Sequence, residues 1–219
     1  MLRIMQTLKS LCTNHPVLGI DLAGSEKKYS ALAYLKDEEV ATQRIKTNRE
    51  LIDITLEHHA RVVAIDSPLS LPRGRRSVYD SDPGRRGYGI ERACEKELRR
   101  NKINVYPPLI PSMQELTKRG IELSEQLESE GFTVIETFPG GIQDILGIPR
   151  KKAGKEKLAQ GLTAFGLNVP YSGSITHDEL DAVTAALGAW FYLSGKYRIY
   201  GDDEEGVIVL PEITFGNSK

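Results

Sequence analysis

Two short apolar runs, Val17-Leu18-Gly19-Ile20 and Val62-Val63-Ala64-Ile65, each end in an aspartate, Asp21 and Asp66. Runs this short and apolar throughout read as strands buried on both faces. Between them lie two more strand-like segments, 29–35 and 40–45, joined by the polar turn Lys36-Asp37-Glu38-Glu39. A helical segment follows, with Leu51, Ile52, Thr55, Leu56 and His59 at helical spacing and Asn48 as its expected cap. A hairpin and then a helix return the chain parallel to its first strand, and the right-handed crossover rule sets residues 61–67 beside that strand. Asp21 and Asp66 are therefore expected side by side at one edge of a sheet.

After Asp66 the chain is irregular from 68 to about 90, carrying Pro72, Pro83, Gly74, Gly84, Gly87 and Gly89. Loops of this length inside a compact chain are usually functional or disordered. Helices are expected over 91–101 and 112–130, the second ended by Gly131. A fifth strand over 132–138 stops at Pro139-Gly140-Gly141, and helical pieces over 142–146 and 155–165 follow. The last helix opens on Thr176-x-x-Glu179, a capping-box pattern, and runs to about 193. Residues 206–210, after the acidic turn Asp202-Asp203-Glu204-Glu205, read as an edge strand.

The element order β-β-β-α-β-(insertion)-β-α is that of the ribonuclease H-like fold. The expected class is α/β, a mixed five-stranded sheet flanked by helices, with a helical Arg-rich insertion between strands 4 and 5. The domain spans 16–219, with the insertion at about 68–131. Residues 1–15 form an extension or a short helix, because Ile4, Leu8, Leu11 and Cys12 share one helical face.

Of the 219 residues, 40% are hydrophobic and 27% charged, ordinary values for a globular chain. The formal net charge of -1 excludes a globally basic nucleic-acid binder but not a local basic patch. Two cysteines, Cys12 and Cys94, make neither a disulfide framework nor a zinc signature, so a cytoplasmic location is the simplest expectation. No apolar run approaches the roughly 20 residues that span a bilayer, and no membrane partner is expected. The composition leaves oligomeric state open.

Asp178 and Asp181 lie at the start of the last helix, one turn apart on the same face. Ala182, Ala185, Ala186 and Ala189 follow as a small-residue stripe suited to close packing on a sheet. A carboxylate at the edge of a packing face is costly unless it is paired or metal-bound. Clustered carboxylates repel one another unless a proton or cation joins them, and hard divalent cations prefer oxygen ligands. Asp21, Asp66, Asp178 and Asp181 thus form an expected metal set, with Mg2+ or Mn2+ as cofactor. Glu136, which interrupts the fifth strand, is its expected neighbour. Each residue also has a structural reading: Asp21 as a turn cap, Asp66 as a turn initiator before proline, Asp178 as a helix-dipole partner.

Residues 73–102 hold ten basic and five acidic side chains, a net charge of +5, with Tyr79, Tyr88 and Tyr106 in or near the segment. Arginine grips phosphate bidentately and tyrosine stacks on unpaired bases. Arg75, Arg76, Arg85, Arg86, Arg92 and Arg99 are the expected substrate contacts, with nucleic acid, DNA or RNA, as partner. A second cluster, Arg150, Lys151, Lys152, Lys155 and Lys157, reads as a solvated face. The stretch from Gly147 to Glu156 has six residues between its glycines where a phosphate loop needs four, so that motif is rejected. Ser67, Ser70 and Cys94 sit in no recognised nucleophile pattern.

Five segments carry a resemblance to a known family: Gly19-Ile20-Asp21-Leu22-Ala23-Gly24, Ala64-Ile65-Asp66-Ser67-Pro68-Leu69, the run from Arg92 to Arg100, Glu136-Thr137-Phe138-Pro139, and the run from His177 to Ala182. In this order they resemble the predicted ribonuclease H-like nuclease family catalogued as a domain of unknown function (DUF429 type), distantly similar to the RuvC resolvases. The resemblance covers about residues 17–190. It implies a divalent-metal nuclease, with Asp21 bridging two ions and Asp66, Asp178 and Asp181 completing their shells. Many resolvase-like enzymes have Glu on the fourth strand where this chain has Asp66, whose shorter reach alters metal spacing or favours one ion. The alternatives are a nucleotide-binding or phosphotransfer protein using the Gly19–Ser25 turn, as in actin-like ATPases, and a non-catalytic nucleic-acid binder on the same fold.

Overall fold

The computed structural model describes residues 15–80, 89–170 and 174–213. β1 (Val17–Asp21), β2 (Ser30–Lys36), β3 (Glu39–Ile45), β4 (Val62–Asp66) and β5 (Thr133–Glu136) form one sheet, ordered β3-β2-β1-β4-β5. β2 runs antiparallel to both β1 and β3, whereas β4 is parallel to both β1 and β5. Around the sheet lie α1 (Asn48–His58), α2 (Ala93–Arg100), α3 (Gln114–Ser129), α4 (Pro139–Leu146), α5 (Lys155–Ala164) and α6 (His177–Leu193). This is the ribonuclease H-like arrangement, with α2 and α3 between strands 4 and 5. Most of the expected extension at 1–15 lies outside the described residues.

Side chains alternate between the faces of a strand, and the core divides accordingly. Leu18, Ile20, Leu32, Val63 and Ile65 pack with Leu51 of α1 and Leu123 and Leu127 of α3. Val17, Ala31, Ala33, Val62 and Ala64 face the other way, against α6 and the residues of α4 and α5 that surround it. That second face is lined with small side chains so that a helix can lie close. Every residue of α6 from 180 to 191 is buried, as a helix apolar on all sides must be. The closest approach is at Gly19, where an added Cβ would stand 2.1 Å from the Ala182 carbonyl oxygen and 2.2 Å from the Ala186 nitrogen. Only glycine fits there, so the contact fixes how far along β1 the helix sits.

Three boundaries differ from the sequence reading. Thr47, not Asn48, caps α1, exchanging bonds with Glu50 in a capping box, while the Asn48 side chain accepts from Arg119. Pro139-Gly140-Gly141 opens α4 instead of separating it from β5, with Pro139 in the first turn, where its missing N–H costs nothing. Residues 206–210 do not extend the main sheet. They belong to β7 (Gly206–Pro211), which pairs with β6 (Tyr197–Asp202) in a separate hairpin. Thr137, immediately after β5, donates its hydroxyl to the Val209 carbonyl (2.8 Å), tying this hairpin to the sheet.

Two buried arginines lock the insertion in place. Arg92 is fully buried and donates to both oxygens of Glu136 on β5, to Glu95 on its own helix, and to Ser70. Glu205 of the β6–β7 turn accepts from the backbone of Arg73 and Ala93. On the other face Arg119 of α3 donates to Ala23 O (2.7 Å), Lys46 O (2.6 Å) and Asn48 Oδ1 (2.8 Å). Arg119 thereby holds the turn that follows Asp21 against the start of α1.

Candidate metal and nucleic-acid site

Asp21 and Asp66 close β1 and β4, and they are register partners on adjacent parallel strands. Strand spacing sets their backbones about 4.8 Å apart. The Thr176–Glu179 capping box starts α6 one residue before His177, so Asp178 and Asp181 fall in its first two turns. The Gly19 contact then slides this end of α6 toward the Asp21–Asp66 edge. Asp181 is buried, whereas Asp178 is exposed.

Asp181 is fixed from two sides. Gln143 of α4, itself buried, donates to Oδ1 at 2.9 Å, and Lys151 Nζ stands 3.2 Å from Oδ2. Asp21, Asp66, Asp181 and Lys151 all line one cavity of about 600 Å³.

The electrostatics are those of crowded negative charge. Burial, then the charges of Asp66, Asp181 and Asp178, raise the Asp21 carboxyl well above the usual range, with Lys151 opposing. Burial, then Asp181, push Asp66 up to about 8, again against Lys151. Burial would lower the Lys151 ammonium, but Asp181 first, and then Asp21 and Asp66, outweigh it and hold the proton on. One ammonium thus sits among three carboxylates. A hard divalent cation suits this all-oxygen donor set by charge and chemistry. Among the described residues, no three His, Cys, Asp or Glu side chains already converge as a finished metal shell.

Glu136 closes β5 as the register partner of Ile65, one residue before Asp66, and lines the same cavity, but both its oxygens are bound by Arg92, and Leu69 N also donates to it (2.8 Å). It is the expected neighbour of the aspartate set, but as the partner of a buried arginine its carboxylate is not free for a catalytic role. Arg92 is corrected with it: a guanidinium with no exposed surface and bonds to Glu95, Glu136 and Ser70 cannot reach a substrate phosphate. Arg75 is likewise engaged, its three guanidinium nitrogens donating to the carbonyls of Asp80 and Gly89. Arg99 is exposed and paired with Glu91, and Arg76 is exposed. Arg85 and Arg86 lie outside the described residues. The basic side chains found at the carboxylates are instead Arg150, Lys151 and Lys152, which the sequence assigns to a solvated face. Their signal is positional: they fall between the fifth strand and the last helix, and both of those elements end at the site.

At the turn after Asp21, the Ala23 N–H donates to Ser30 Oγ and its carbonyl accepts from Arg119. That backbone is engaged internally, which weakens the phosphate-hairpin alternative.

The model of a family described as "Protein of unknown function (DUF429)" matches residues 19–205. No curated protein matches the chain in sequence. Among solved structures, the chain is similar to Thermus thermophilus RuvC in complex with a Holliday junction substrate, at 12% identity and a TM-score of 0.45, covering 88% of this chain and 99% of that one. A second Thermus thermophilus RuvC structure matches at 13% identity and a TM-score of 0.42, over 82% of this chain and 96% of that one.

Proposed function

The chain belongs to the DUF429 family, and we propose that it is a divalent-metal-dependent nuclease hydrolysing phosphodiester bonds of nucleic acid. The observation that carries this reading is the in-register placement of Asp21 and Asp66, with Asp181 brought to the same cavity and Lys151 beside it as counterion. Asp21, Asp66, Asp178 and Asp181 would hold Mg2+ or Mn2+. Such an ion, when bound, supplies an activated water and neutralises charge developing on a phosphate.

The chain's own residues have separable parts in this. Gln143 keeps one Asp181 oxygen engaged and so sets the plane of that carboxylate. Lys151, on an exposed 3-10 turn (Lys151–Ala153), would be free to meet a substrate phosphate if a cation took its place beside Asp181. Burial and mutual repulsion favour the protonated forms of Asp21 and Asp66, so a divalent cation held by them would compete with protons for the same oxygens. Arg76 and Arg99 are the members of the expected substrate set with exposed guanidinium groups among the described residues.

The test is a thermal-shift and cleavage panel with Mn2+, Mg2+ and chelator, on wild type and Asp21→Asn, against mixed DNA and RNA. Metal-dependent stabilisation and cleavage, both lost in Asp21→Asn, are expected. A wild type that ignores both metals refutes the metal site. Metal binding and nucleic-acid binding without cleavage on any substrate would leave a non-catalytic binder.

A further inference from the structure

The 600 Å³ cavity extends well beyond the carboxylates. Its volume falls within the ~300–1,000 Å³ typical of small-ligand sites. Away from Asp21 and Asp66 its walls are mainly apolar, formed by Val105, Tyr106, Met113, Leu116 and Phe138. Lys151 stands at the acidic end beside Asp181, and Lys152 also lines the cavity. One apolar compartment, one basic group of side chains and one candidate metal set thus share a single space.

Two aromatic rings line it, Tyr106 almost free of the core and Phe138 packed against the core on one side only. Tyr106 is 71% exposed, so it contributes little to any core. Phe138 is only partly buried, and the Arg150 guanidinium lies 5.6 Å from its ring centroid. Arg150 is itself held by Asp144 through Nε at 2.7 Å. Beneath both lies Gly140, where an added Cβ would stand 2.8 Å from Arg150 Nη1 and from Phe138 Cζ. The glycine lets the ring and guanidinium settle low against α4. A supported aromatic wall of this kind is suited to the face of a planar, uncharged ring.

We propose that this cavity is a nucleobase subsite: it takes one unstacked base of a single-stranded or locally opened nucleic acid, with the attached phosphate toward Lys151 and Lys152. The proposal rests on the nuclease reading for the phosphate end and adds the substrate class. A base inside a duplex is stacked on its neighbours and cannot enter such a space, whereas an unpaired base can stack on aromatic side chains. The site therefore discriminates single strands, loops and frayed ends from continuous duplex. Because every base has a π-face, the preference is for unpaired structure more than for sequence.

The test uses a short single strand carrying one 2-aminopurine and the matching blunt duplex, with Ca2+ present and fluorescence as the readout. Wild type should bind the single strand more tightly than the duplex and change the 2-aminopurine signal. Phe138→Ala should weaken single-strand binding about tenfold, the scale of one lost base–aromatic stack. Met113→Trp, which fills the cavity from the partly exposed α3 side, should do the same while leaving the melting temperature intact. Both variants should keep the wild-type Mn2+ thermal shift. Equal affinity for duplex and single strand, or unchanged binding in both variants, would overturn the subsite while a retained Mn2+ shift left the metal reading standing. Absence of any Mn2+ shift in wild type, with single-strand preference intact, would sink the metal reading and keep the subsite.

Discussion

The carboxylate cluster predicts an unusual stability profile for the metal-free protein. Asp66 is pushed up to about 8 by burial and by Asp181, while an aspartate in the unfolded chain titrates near ~3.9. Between those values the native state holds a proton that the unfolded chain has released. Stability then falls as pH rises through that window, since the slope follows the difference in bound protons. One full proton corresponds to about 1.4 kcal/mol per pH unit. For a chain of this size that is roughly 3–5 °C of melting temperature per pH unit. The assay is thermal unfolding in chelator from pH 5 to pH 8, on wild type and Asp66→Asn, whose neutral side chain cannot ionise. The wild-type curve should slope downward more steeply than the variant's, and at pH 8 the variant should melt higher. Mn2+ should raise the wild-type melting temperature more at pH 8 than at pH 5.5, because protons compete with the metal for the same oxygens. Parallel wild-type and Asp66→Asn curves across the window would refute the crowded-carboxylate reasoning.

Other perturbations separate the scaffold from the site. Gly19→Ala drives a Cβ into the Ala182 and Ala186 backbone, which cannot retreat as a side chain can, and should cost about 3 kcal/mol in urea unfolding. Arg92→Met strands Glu95 and Glu136 as uncompensated buried charges and should cost about 3–5 kcal/mol, without changing Mn2+ affinity if the protein remains folded. Lys151→Met removes the ammonium beside Asp181 and should lower the melting temperature in chelator yet raise Mn2+ affinity measured by calorimetry. Gln143→Leu frees one Asp181 oxygen and should weaken Mn2+ binding with little change in the metal-free secondary structure.

The sheet was legible because its information is local. The runs ending at Asp21 and Asp66, the hairpin turn between residues 36 and 39 and the capping box at Thr176 each encode one element, and the crossover rule joins them. The β6–β7 hairpin was half-legible, since β6 follows α6 after the brief Gly195 turn and has only short apolar alternation. The long-range pairings were not legible. Arg92 and Arg150 are the same letter in a sequence, yet one is fully buried against Glu136 and the other lines the cavity. Which arginine faces solvent depends on how the insertion folds back on the sheet. That is fixed by contacts between residues far apart in sequence, such as Ser70 with Glu205 and Ala93 with Glu205.

The same sheet edge therefore holds two clusters of acid, resolved in opposite ways. On β5, Glu136 is matched by Arg92, both are buried, and the bonds between them are bidentate. Such a pair is permanent: the guanidinium cannot be deprotonated and nothing in solvent can replace it. One strand away, Asp21, Asp66 and Asp181 face a lysine whose side chain is 61% exposed, against 7% for its Asp181 partner. A fold that needed only to neutralise these acids had a buried arginine available as a solution, and it uses one next door. The aspartates instead have a partly solvated ammonium carried on an exposed turn. A solvent-exposed counterion beside carboxylates whose ionisation is opposed first by burial and then by one another is an arrangement that a second cation would stabilise.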